Sequence, residues 1–200
     1  KKEILKFHWR NIECFFVQTK TMKLKLIKFS KKFNLKNKKI IIAPFSSDIN
    51  VKKKITLKNQ NSIKFIYPSN FQPHKNHTQL ILAWNKFILL RKDVILYLTI
   101  KPNDLKTLCK KNKLNYIYLK RSIKCLSFIS HQNILKRMHS SDVLIFPSLI
   151  ESYGLPLIEA VKLKIGIIAP KLDYVKDICK PDITFNPYSY LSIEDAMVKF

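Results

Sequence analysis

An α/β fold built on a parallel, doubly wound sheet is predicted from three features of this sequence. Short apolar runs alternate with amphipathic stretches along most of the chain. The connections between the apolar runs have helix length, which favours a doubly wound sheet over a barrel or a sandwich. With 46% hydrophobic and 12% aromatic residues, the 200-residue chain can bury a sizeable core, which excludes a disordered or collagen-like polymer. At ~150 residues per domain the length suits one domain plus part of another.

The elements follow in order. Glu3 to Asn11 is expected to be helical, and Cys14 to Val17 a strand. Thr21 to Phe33 reads as a basic helix carrying Met22, Leu24, Leu26 and Ile27, and Lys39 to Phe45 as a buried strand. The polar, aperiodic segment that follows has linker character. A second, longer α/β pattern opens with a strand at Ile63 to Tyr67, broken by Pro68-Ser69-Asn70. Leu80, Ile81, Trp84, Phe87 and Ile88 give Asn76 to Leu90 a helical apolar face. Asp93 to Ile100 is a strand, Asp104 to Lys111 a short helix, and Tyr116 to Leu119 and Leu126 to Ile129 are strand candidates. His131 to His139 is helical and Val143 to Phe146 a wholly apolar strand. A helix is expected at Pro156 to Leu163, a strand at Ile165 to Ala169 and a helix at Asp173 to Cys179. Ile183 to Phe185 forms a last strand and Ser192 to Phe200 a last helix, with Ser192 and Asp195 as its capping pair. The opening strands lack a preceding domain and the final helix lacks a stop signal, so the sequence reads as incomplete at both ends.

The formal charge of +25 raises nucleic acid and anionic lipid as partners. Only four of the 38 basic residues are arginines, Arg10, Arg91, Arg121 and Arg137, whereas nucleic-acid readers favour the planar guanidinium fork. The lysines are spread along the whole chain, and the composition is what an AT-rich genome writes. Nucleic acid is therefore not the expected partner. The basic helix around Lys20 to Lys32 can rest on anionic lipid, but it lacks the apolar face that insertion needs. No apolar run approaches the ~20 residues of a membrane span, and the first ten residues hold no signal-peptide core. Cys14, Cys109, Cys125 and Cys179 make no CxxC pair and read as reduced thiols, which suits the cytoplasm.

In an open parallel sheet, ligands bind beyond the carboxyl ends of the strands, near helix N-termini. Two loops lie at such places. One is FPSLIESYGLPLIEA, residues 146–160, in which a buried strand gives way to a loop and then to a helix with Pro156 in its first turn. Backbone amides around Gly154 to Leu157, with the helix dipole, favour an anion such as a diphosphate. Glu159 lies in a helix that is apolar almost all round, where a lone carboxylate needs a partner. The two hydroxyls of a ribose suit it; so does a nearby lysine, in which case Glu151 is simply an exposed loop residue. The second loop, YPSNFQPHKNH, spans residues 67–77. His74 and His77 flank Lys75 there, but no third ligand completes a metal site. Ser148 and Ser152 stand outside any G-x-S-x-G elbow, which leaves a serine hydrolase unsupported.

The string FPSLIESYGLPLIEA resembles the E-x7-E signature of glycosyltransferase family 4, the group 1 glycosyltransferases of GT-B fold. YPSNFQPHKNH resembles the loop after the first strand of that family's donor domain. CFFVQTKTMKLKL and KIIIAPFSSDI resemble the end of its N-terminal domain, and GIIAPKLDYVKDIC with DITFNP the run after the signature. The resemblance covers nearly the whole chain. It implies that residues 1–48 close an N-terminal, acceptor-side Rossmann-like domain, 49–62 form a linker, and 63–200 form most of a donor domain.

The resemblance implies roles as well. Glu159 would bind the ribose hydroxyls of a nucleotide sugar, and Glu151 would contact the donor sugar or stabilise its reacting face. Amides around Tyr153, Gly154 and Leu155 would hold the diphosphate. Lys75 would neutralise that diphosphate and help it leave. Ile129 and Ser130, with His131, would meet the nucleobase through backbone groups. Tyr153 would pack over the sugar or serve the core alone. Asn70 stands where the family often has a phosphate-binding arginine, which shifts the burden to Lys75. The implied reaction is transfer of a sugar, with retention, from a UDP-, GDP- or ADP-linked donor. The implied acceptor is a glycan or lipid-linked surface-glycan precursor of lipopolysaccharide, capsule or exopolysaccharide type. Neither metal nor cofactor is implied, and there is no Asp-x-Asp pair for a metal-held diphosphate. The implied location is the cytoplasm or the inner face of the cytoplasmic membrane. The 200 residues alone would be inactive; a non-catalytic nucleotide-binding remnant is the alternative.

Overall fold

The computed structural model describes residues 2–44 and 62–200. The expected linker, apart from Ser62, and Phe45 of the second expected strand lie outside the described residues. The first segment runs α1 (Lys2–His8), a 3-10 turn (Trp9–Asn11), β1 (Cys14–Val17), α2 (Lys20–Lys32) and β2 (Lys39–Ile42). It is a βαβ unit whose two strands pair in parallel, from Cys14 opposite Lys39 to Val17 opposite Ile42. The α2 helix starts at Thr19, whose hydroxyl accepts the Met22 amide at 3.1 Å. Trp9 is buried against Phe15 and Phe29, and its indole N–H donates to the Lys36 carbonyl at 2.8 Å. The β2 strand is less covered than expected: Lys39 and Ile42 are exposed, because among the described residues β1 is the only strand beside it. The start of α2 reaches the larger unit, where the Asp177 carboxylate accepts the Thr21 amide at 2.6 Å.

Residues 62–200 build a six-stranded, all-parallel sheet. Its strands are β3 (Ile63–Tyr67), β4 (Val94–Leu98), β5 (Ile123–Cys125), β6 (Val143–Ile145), β7 (Gly166–Pro170) and β8 (Ile183–Phe185). The spatial order is β5-β4-β3-β6-β7-β8, the doubly wound Rossmann order, with its reversal between β3 and β6. The connecting helices are α3 (His77–Leu90), α4 (Pro102–Lys111), α5 (Tyr116–Ser122), α6 (His131–His139), α7 (Leu155–Leu163) and the single turn α8 (Asp173–Lys176). With this strand order, the right-handed rule for parallel crossovers assigns α3 to α5 to one face and α6 to α8 to the other. The closing helix α9 (Tyr190–Lys199) returns to pack on α3. The α3 face predicted from periodicity is the buried one, and Phe65 of β3 stands edge-on to Trp84 and Phe87 at 5.3 and 5.6 Å.

Two regions differ from expectation. Tyr116 to Leu119 is helical, because the Asn115 side chain caps the segment by accepting the Tyr118 amide at 3.0 Å. The strand lies later, at Ile123–Cys125, while Leu126 to Ile129 is loop, with Ser127 at φ 56°. This strand is a sheet edge with Lys124 exposed, so its apolar signal is weak. The last helix is capped by Ser189, whose hydroxyl accepts the Ser192 amide at 3.3 Å. Ser192 instead accepts the Asn186 amide, and Asp195 pairs with Lys199.

Candidate functional site

The site forms where the order of strands reverses, because the chains leaving β3 and β6 diverge there and open a crevice. After β3, Pro73–Lys75 makes a 3-10 turn and Asn76 adopts the left-handed conformation (φ 59°) before α3 begins. After β6, the chain crosses directly in front of this turn. The Leu149 amide donates to the His74 carbonyl at 2.8 Å, and the Tyr67 hydroxyl donates to the Lys75 carbonyl at 2.8 Å. The buried Asn76 side chain joins three loops, since its Nδ2 donates to the Pro147 carbonyl at 3.1 Å and the Pro187 carbonyl at 2.7 Å. Tyr174 adds a further tie, its hydroxyl donating to the Ser148 carbonyl at 2.6 Å. Burial, with Glu151 nearby, raises the Tyr174 phenol far above its ordinary range, so it stays a donor.

These ties hold Lys75 and Glu151 face to face. Lys75 Nζ lies 2.6 Å from Glu151 Oε1, with side chains 18% and 12% exposed. Glu151 is therefore no free loop carboxylate; the 76-residue separation is closed by the loop-to-loop contacts.

The chain then passes Tyr153, which is buried, and Gly154, which sits at φ 69° in front of α7. A side chain at Gly154 would be strained in that conformation and would press on Ile178 and Leu157 at 3.1 and 3.3 Å. The Gly154 carbonyl takes the Leu157 amide at 2.9 Å, so that amide is not available to an anion as expected. Pro156 has no N–H, which leaves the Gly154 and Leu155 amides as the donors of this terminus.

One turn further on, Glu159 is buried in α7 while Leu155 and Val161 of the same helix are exposed. Glu159 thus shares the inward face of the helix with the buried Leu157, Ala160 and Leu163. Among the described residues the partner of Glu159 is a histidine and not a lysine: His131 Nε2 lies 2.7 Å from Glu159 Oε1. His131 opens α6 but does not cap it. The cap is Ser130, whose hydroxyl accepts the Asn133 amide at 3.4 Å. Ile129 is half-buried and Ser130 exposed just before that helix. Asn70 is exposed, and its carbonyl takes the Gln72 amide at 3.1 Å.

His77 is buried between the rings of Tyr67 and Phe71, and among the described residues neither ring nitrogen has a hydrogen-bond partner. Burial, with Lys75 nearby, lowers it from 6.5 to about 4, against the pull of Asp104. It is a neutral packing group. Among the described residues no cluster of three or more His, Cys, Asp or Glu side chains suits a metal ion. None of the described helices is long and apolar enough to cross a membrane.

Sequence reasoning did not single out Asn76, nor His131 as a partner of Glu159. Asn before an apolar helical stretch signals a left-handed entry, whereas nothing local in sequence marks His131 as the neighbour of Glu159.

Known proteins show the same architecture. The chain superposes on sucrose-phosphate synthase from Thermosynechococcus elongatus with a TM-score of 0.74 at 16% identity, covering 99% of this chain and 50% of that one. It superposes on HepE from Anabaena, solved with UDP and glucose, with a TM-score of 0.74 at 17% identity, covering 97% and 55%. These neighbours bear out the α/β, Rossmann-like fold of GT-B type. In sequence, the serotype-specific mannosyltransferase WbdA of Escherichia coli is 30% identical over 117 residues, 58% of this chain. The chain spans 14% of the length of that relative. The family model described as glycosyl transferases group 1 matches residues 48–197, three quarters of the chain, and the protein belongs to that family.

Proposed function

We propose that this chain is the donor-binding part of a family 4 glycosyltransferase that moves a sugar, with retention, from a nucleotide sugar to a surface-glycan acceptor. The observation that carries the reading is the pairing of a lysine and a glutamate at the reversal of a Rossmann sheet, followed in the next helix by a buried second glutamate. In this reading Glu159 takes the ribose hydroxyls. The Gly154 and Leu155 amides, with the dipole of α7, face the diphosphate. Lys75 exchanges Glu151 for the phosphate oxygens and stabilises the charge that grows as the C1–O bond to the diphosphate breaks. Glu151, released, turns to the sugar. The acceptor oxygen forms the new bond to C1 on the face the diphosphate leaves, and its proton passes to the departing phosphate. Tyr153, Asn70 and the backbone of Ile129 and Ser130 complete the donor contacts, with no metal or other cofactor.

Support for a nucleotide ligand comes from HepE, solved with UDP and glucose. Support for a surface glycan comes from WbdA, a serotype-specific mannosyltransferase. A cytoplasmic location belongs to the same reading, with contact between the basic helix around Lys20 to Lys32 and anionic lipid at the inner face of the cytoplasmic membrane as its peripheral form.

Calorimetric titration of the 200-residue chain with UDP, GDP, ADP and their sugar conjugates tests it. One nucleotide should bind best, and Glu159→Ala should cost ~1.5–3 kcal/mol, the weight of hydrogen bonds to a charged group. Binding without transfer is the outcome expected of a donor-binding part on its own. Binding of no nucleotide would refute the donor-site reading.

A further inference from the structure

We infer that His131 is a positioning residue for Glu159, holding the buried carboxylate in the orientation that receives a ribose. The inference rests on the proposed role of Glu159 in ribose binding and adds a residue to it. Glu159 is nearly inaccessible (4% side-chain exposure), yet among the described residues its hydrogen-bonding partner is a side chain that is 64% exposed. The two come from different elements, Glu159 from the middle of α7 and His131 from the first position of α6. The buried acid is thus tethered from outside the core, at the rim where a ligand would enter.

The geometry of the bond defines the role. With the imidazole in the tautomer that carries its proton on Nε2, His131 donates to Oε1 across the 2.7 Å contact. Oε2 carries no protein hydrogen bond among the described residues and is not shut away from solvent. It is the oxygen left for a diol. A three-torsion glutamate held at one oxygen has little freedom to swing the other, so the rotamer is set before the ligand arrives. A purely structural bond would not discriminate between nucleotides with and without ribose hydroxyls. A positioning bond does.

The test is a comparison of UDP with 2′,3′-dideoxy-UDP, repeated with the guanosine and adenosine pairs, on the 200-residue chain by calorimetry. His131→Ala should weaken the ribonucleotide about tenfold, the fold-change of ~1.4 kcal/mol, and leave the dideoxy form within twofold. His131→Gln, whose Nε2 occupies the place of the imidazole Nε2, should restore most of the loss. Glu159→Ala should abolish the preference for ribose, and His131→Ala added to it should change nothing further.

Equal weakening of both nucleotides by His131→Ala overturns the inference, and so does tighter binding of the ribonucleotide. Either would make His131 a structural tether or a competitor for the carboxylate. If Glu159→Ala removes the ribose preference while His131→Ala preserves it, the inference alone falls. Should Glu159→Ala leave the preference intact, or should no nucleotide bind the unsubstituted chain, the reading of Glu159 falls and takes the inference with it.

Discussion

Asn76 is the residue on which the candidate site depends most for its shape, and its replacement has a calculable cost. Its side chain makes two hydrogen bonds, to the Pro147 and Pro187 carbonyls, and the residue is buried with φ at 59°. Asn76→Ala removes both bonds and leaves two carbonyls of buried residues without a donor, at ~1 kcal/mol each. It also puts alanine in the left-handed region, which asparagine tolerates better, at a further ~1 kcal/mol. The expected sum is about 3 kcal/mol. Urea unfolding of the 200-residue chain, followed by tryptophan fluorescence, measures it as a lower midpoint with an unchanged slope. Asn76→Gly keeps the backbone at ease while losing the same two bonds, so it should cost less than alanine. A loss below about 1 kcal/mol for Asn76→Ala would show that the clip between the three loops contributes little. A glycine variant as damaging as alanine would show that the left-handed entry to α3 carries no strain.

Three further outcomes follow from the same geometry. Gly154→Ala, at φ 69° and pressed against Ile178 and Leu157, should cost ~1–2 kcal/mol in urea unfolding, with weaker nucleotide binding from the displaced α7 terminus. His77 is lowered from 6.5 to about 4, so between those pH values the unfolded chain binds the extra proton. Stability should therefore fall as pH drops from ~6.5 to ~4, by roughly 3 kcal/mol, and His77→Leu should flatten that slope of stability against pH. Lys75→Ala leaves Glu151 half-buried without its 2.6 Å partner. The double variant Lys75→Met, Glu151→Gln should be less destabilised than the sum of the single changes, by ~1–2 kcal/mol; strict additivity would mean the ion pair is idle.

Much of the architecture was legible because its signals are local. The apolar face of α3, from Leu80 to Ile88, follows from helical spacing, and the runs at Val143 and Ile165 are apolar because both faces of a central parallel strand are covered. Edge elements read poorly for the opposite reason. Strand β5 is three residues long with an exposed lysine in its middle, and Tyr116 to Leu119 has strand-forming residues overruled by the Asn115 cap. The resemblance to group 1 glycosyltransferases was also legible, since Glu151 and Glu159 lie in one contiguous string whose spacing a linear reading can see.

The partners of those glutamates were another matter. Sequence alone determined that Glu159 sits in an apolar helix and needs something to satisfy it. The tertiary structure decided that this is the His131 imidazole, 28 residues away, and that Glu151 is held by Lys75, 76 residues away. Hydrogen bonding and charge pairing act over about 3 Å in space and are indifferent to distance along the chain. Which side chains meet is set by where the reversal between β3 and β6 brings separate loops together, and that reversal exists only once the sheet has formed.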